Sequence, residues 1–67
     1  MNNETNGIEN GIIIEAELIT ETRHARLMNC EGDEEWFPKH NTHFDESKKE
    51  LTVPKWLLKK KFPNEKY

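Results

Sequence analysis

Cys30 is the only cysteine in 67 residues, so no disulfide can brace the chain from within, and a lone thiol fits a reducing compartment. No run approaches the roughly 18 apolar residues that a membrane span needs. Met1 to Asn10 has neither the basic nor the apolar stretch of a signal peptide. A soluble, cytoplasmic protein is expected. There is no glycine-rich phosphate loop and no nucleophile elbow, and the only serine, Ser47, stands beside Asp45 and Glu46. With so few residues to build a cleft that excludes water, the chain reads as a non-enzyme.

What is present is charge. Hydrophobic residues make up 33% of the chain and charged residues 34%, which leaves a small single-layer core. Chains of this length bury only about 60% of the surface their unfolded form exposes. The net charge of −3 conceals two ends. Residues 1–36 hold nine Asp and Glu against Arg23 and Arg26, a net of −7. Residues 37–67 hold eight Lys against Asp45, Glu46, Glu50 and Glu65, a net of +4. Such a dipolar chain can orient a charged partner or pair with a copy of itself as a homodimer.

Residues 1–11 carry four Asn, two Glu and two Gly and read as a flexible tail. From Ile12 the period changes. Ile12, Ile14, Ala16 and Leu18 alternate with Ile13, Glu15, Glu17 and Ile19, the pattern of a half-buried strand with the first set toward the core. A second run, His24 to Cys30, alternates again. Glu31-Gly32-Asp33 is the clearest turn, leading to a third strand, Glu34 to Phe37, stopped by Pro38. Thr42-His43-Phe44 and Glu50-Leu51-Thr52-Val53 suggest a further pair around a turn at Asp45 to Lys48. Pro54 suits the first position of a helix over Lys55 to Lys61, and Phe62, before Pro63, should leave it. The expected fold is mainly β: a small barrel or curved antiparallel sheet of four to five strands with one short C-terminal helix. One domain spans residues 12–62 and a short tail follows at 63–67. Trp56 is expected as the buried ring of a helical lid, so that its truncation costs more stability than that of Lys60.

Three segments carry a resemblance. Glu21-Thr22-Arg23-His24-Ala25 precedes an apolar strand, Glu35-Trp36-Phe37-Pro38-Lys39 ends the next, and Leu51-Thr52-Val53-Pro54-Lys55-Trp56-Leu57 leads into a lysine-rich end. Over roughly residues 14–62 the chain resembles a loose group of short phage and bacterial open reading frames. In that group a strand commonly ends Trp-aliphatic-Pro-Lys-Ser and a lysine-rich Trp-Leu helix closes the chain. Here Phe37 replaces the aliphatic residue, and His40-Asn41 follow Lys39. The resemblance implies a small barrel of phage or mobile-element type and no particular chemistry.

His24, Cys30, His40 and His43 are zinc-ligand types, but their spacing matches no usual paired pattern, and no metal or other cofactor is expected. Binding remains. Trp36, Phe37, Phe44, Trp56 and Phe62 are many rings for a core this small, and surplus aromatics anchor interfaces. The expected partner-binding site is Lys39, Lys55 and Lys59 with a ring from Trp36 or Phe37. A protein partner is favoured and single-stranded nucleic acid is the alternative, because the acidic strands would repel a long polyanion. Glu15, Glu17 and Glu21 would share one strand face at steps of about 7 Å per two residues, a spacing that would resemble successive phosphates.

Overall fold

The alternation that begins at Ile12 does produce extended backbone, but in the computed structural model, which describes Ile8 and residues 10–65, it is broken once. The chain forms β1 (Gly11–Glu15), β2 (Glu17–Glu21), β3 (Ala25–Cys30), β4 (Asp33–Pro38), β5 (His43–Asp45), β6 (Glu50–Pro54) and α1 (Lys55–Lys61). Between β1 and β2, Ala16 is 2% exposed and its N–H donates to the Lys49 carbonyl at 3.0 Å. This residue is the corner at which the chain passes from one sheet to the other. β1 pairs with β6, and β6 with β5; β2 pairs with β3, and β3 with β4, all antiparallel.

The mainly β fold with one short C-terminal helix is as expected. Among the described residues the strand count is corrected from four or five to six, because the corner at Ala16 divides the first strand. Where a small barrel or one curved sheet was expected, the described strands form two three-stranded sheets, and no ladder joins β4 to β5 among them. Only Ile8 and residues 10 and 11 of the expected tail are described. Gly11 already belongs to β1, and the Asn10 carbonyl accepts from Lys55 N–H at 3.0 Å, so ordered backbone begins before Ile12.

Local chemistry fixes the connections. Thr22 Oγ1 accepts from the N–H groups of His24 and Ala25 at 3.3 and 3.1 Å, which folds the chain from β2 back into β3. Glu31 and Gly32 form the two-residue link between β3 and β4 with φ of 55° and 97°. Positive φ at both positions is the requirement of a type I′ hairpin turn. Asp45 Oδ1 accepts from Ser47 N–H and Oγ–H at 3.1 and 2.7 Å and anchors the turn between β5 and β6.

The inner faces of the two sheets share one core, in which Met28, Phe37, Leu51, Val53 and Leu58 are fully buried. Ile12, Ile14, Leu18, Phe44 and Phe62 pack around it. The helix covers this core with Leu57 and Leu58. Pro54 is its N-cap rather than its first residue, and Phe62 leaves it at φ −129°. With the helix phased in this way, Trp56 points away from the core and is 59% exposed. The expectation of a buried Trp56 is therefore corrected: the helix covers the core, but its two leucines make the contact.

Candidate binding surface

A strand presents successive side chains to opposite faces, so Trp36 and Phe37 cannot both be core residues or both be surface rings. Phe37 takes the inner side at 0% exposure, packed 6.4 Å from the Phe62 ring between centroids. Trp36 takes the outer side at 43% exposure, opposite Leu27 in the β3–β4 pair. Of the two rings expected at the site, Trp36 alone reaches the surface.

The lysines divide in the same way. Lys39 is half-buried and its Nζ lies 2.9 Å from Glu21 Oε1. Lys61 turns inward, with Nζ 3.8 Å from Glu35 Oε1 and 5.9 Å from the centre of the Phe37 ring. Lys55 and Lys59 are exposed on α1, as is Lys60, and none of the three forms an ion pair among the described residues. The expected site of Trp36, Phe37, Lys39, Lys55 and Lys59 is thus distributed over an outer sheet face, the core, an ion pair and the helix.

Trp56 was missed as a surface residue. It lies three and four positions before Lys59 and Lys60, the separations at which helical side chains are neighbours. Lys55 precedes it directly. The result is one indole among exposed ammonium groups on the outer side of a helix whose other side is buried. The three- and four-residue spacing is visible in the sequence, but a Trp followed by two leucines reads there as a core residue.

Acidic groups lie elsewhere. A cleft of about 300 Å³ is lined by Ile14, Glu15, Cys30, Glu31, Asp33, Phe62 and Glu65. Burial pushes the Cys30 thiol up to about 11, with the carboxylates of Glu35, Asp33 and Glu31 adding to the effect. A thiol so held is neutral at ordinary pH and no nucleophile.

The expected row of Glu15, Glu17 and Glu21 on one face is corrected. Glu15 pairs with Glu50 in one sheet and Glu17 with Asn29 in the other. The register then shifts between Leu18 and Thr20, so that Glu21 stands opposite Arg26, inward in the strand's alternation, and meets Lys39. Among the described residues, no three His, Cys, Asp or Glu side chains come together as metal ligands would. No described helix is long and apolar enough to cross a membrane. No family model, no curated protein and no solved structure matches this chain.

Proposed function

We propose that the chain is a non-catalytic binding module that docks Lys55, Trp56, Lys59 and Lys60 on an acidic surface of a partner protein. The observation that carries this reading is the 59% exposure of Trp56 on a helix whose leucines already serve the core. An exposed Trp is a common interface anchor, since such a ring gains most when a partner removes it from water. Exposed lysines that form no ion pair among the described residues supply the complementary charge and speed the encounter.

A protein partner is favoured over a nucleic acid by the remaining surface. Glu15, Glu17, Glu31, Asp33 and Glu34 are exposed and the chain carries −3 overall, so a long polyanion meets repulsion that a compact acidic patch avoids. The resemblance to phage and mobile-element reading frames suggests an accessory or inhibitor of host or phage machinery, and the single thiol suits a cytoplasmic site of action.

The second reading, a single-stranded nucleic acid, draws on the same indole, since a base stacks on an exposed ring while lysines meet the flanking phosphates. A salt-titrated binding measurement with a labelled oligothymidylate distinguishes the two. Nucleic-acid binding weakens by about 0.7 log units per log unit of salt for each phosphate contacted. Micromolar binding with that slope, lost in Lys55→Glu/Lys59→Glu, would replace the protein reading with the nucleic-acid one. Absence of such binding, with a partner retained from lysate by the wild type and not by that variant, supports the protein reading.

A further inference from the structure

The β2–β3–β4 sheet has an outer face that neither the core nor the helix uses. Its middle row is Thr20, Leu27 and Trp36, in register across the three strands. The register shift at Leu18/Thr20 makes Ile19 the extra residue of a β-bulge, which sets it beside Thr20 opposite Leu27. Ile19 is 45% and Trp36 43% exposed. Ala25 and Pro38 form the next row toward one end. The row toward the other end is Glu17, Asn29 and Glu34.

The two ends differ in charge. Glu17 and Glu34 are exposed and form no ion pair among the described residues. At the opposite end, Glu21 and Lys39 neutralise each other at 2.9 Å, and the net positive charge is that of the exposed Arg23 of the β2–β3 turn and of the half-buried Arg26 opposite Glu21. An apolar centre between an acidic and a basic end is self-complementary under one operation. A twofold axis lying between two stacked sheets and perpendicular to the strands lays the acidic end of each copy on the basic end of the other. A twofold axis parallel to the strands would instead set Glu17 and Glu34 against their own copies, which is repulsive.

We infer that this face is the contact of a homodimer in which two copies stack sheet on sheet with strands reversed, Trp36 and Ile19 at the centre. The contact is isologous, so it closes at two copies and does not propagate. It is also separate from the helix face. Three strands spaced about 4.8 Å apart, each five or six residues long at about 3.4 Å per residue, give a patch of roughly 15 by 20 Å. That is below the usual size of a stable interface. The dimer is accordingly weak and reversible, monomeric at low micromolar concentration and assembled toward the millimolar range.

Sedimentation equilibrium of the full chain, from low micromolar to near-millimolar concentration, is the test. The weight-average mass should rise from one copy toward two and stop there. Trp36→Lys and Ile19→Lys should each raise the dissociation constant by about tenfold or more, as central interface positions do, while Trp56→Ala leaves it unchanged. Arg23→Glu should weaken the dimer, and Glu17→Arg added to it should restore part of the loss. Circular dichroism checks that each variant is folded; if Trp36→Lys is not, Ile19→Lys carries the comparison. A monomer at every concentration overturns the inference. So does a dimer lost in Trp56→Ala but kept in Ile19→Lys.

Discussion

Lys61 lies over Phe37, its Nζ 5.9 Å from the ring centre, so the last turn of the helix is fastened to the one β4 ring that belongs to the core. The contact separates Lys61 from the other lysines of α1. Its charge is directed at Phe37 and Glu35, while Lys55, Lys59 and Lys60 stay in solvent.

The first prediction concerns which helix residues hold the fold. Leu58 is fully buried and Trp56 is 59% exposed. Leu58→Ala should cost about 2–5 kcal/mol, and Trp56→Ala should stay within about 0.5 kcal/mol. Denaturant unfolding of the two variants measures this. Equal losses would show that the indole packs on the domain.

The hairpin turn gives the second. Glu31 occupies a left-handed position, φ 55°, where type I′ turns favour Asn. Glu31→Asn should raise stability by about 0.5–1 kcal/mol. Gly32→Ala should lower it, because φ there is 97° although nothing lies within 4 Å of the added methyl. A thermal midpoint unchanged by Gly32→Ala would contradict the turn assignment.

The third concerns acid. Glu21 is held below its ordinary 4.5 by a hydrogen bond from Lys39 and by the charge of that ammonium. Asp45 is held below its ordinary 3.8 by the Ser47 hydroxyl, with the Lys48 and Ser47 N–H groups assisting. A carboxyl depressed by folding contributes stability above its ordinary value and loses it as pH falls through the lower folded value. The thermal midpoint should therefore decline as pH falls through and below this range. Glu21 is exposed and Asp45 only half-buried, so their share is small, and Glu21→Gln/Asp45→Asn should make the decline shallower. An identical decline in that variant would remove these two groups as its source.

Cys30 supplies the fourth. Its thiol, raised to about 11 by burial and nearby carboxylates, should react with iodoacetamide at pH 8 more slowly than the unfolded chain by one to two orders of magnitude, on the order of its loss of thiolate and access. Mass spectrometry with and without denaturant follows the reaction. Equal rates would show that the residue is open to solvent.

Much of the fold was legible because period-two patterning is a local signal. Ile12, Ile14, Ala16 and Leu18 do turn toward the core while Ile13, Glu15, Glu17 and Ile19 are exposed. The corner at Ala16 was not legible, since it depends on the backbone of Lys49, distant in sequence. Nor was the bulge at Leu18/Thr20, which displaced Glu21 from its expected face. At the candidate site the lysine-rich helix could be read, whereas its phase could not. The helix runs on directly from β6 with Pro54 as N-cap, and in that phase Leu57 and Leu58 turn inward and Trp56 outward.

The most direct test of the helix face as a binding surface is the amount of partner retained from a lysate of the encoding cells by wild type and by Trp56→Ala/Lys59→Glu. These positions are exposed, so the variant should remain folded and its unfolding curve provides the check. A specific acidic protein retained by the wild type, with retention reduced about tenfold or more in the variant and unchanged in Ile19→Lys, is the predicted result. Equal retention by wild type and the Trp56→Ala/Lys59→Glu variant would contradict it.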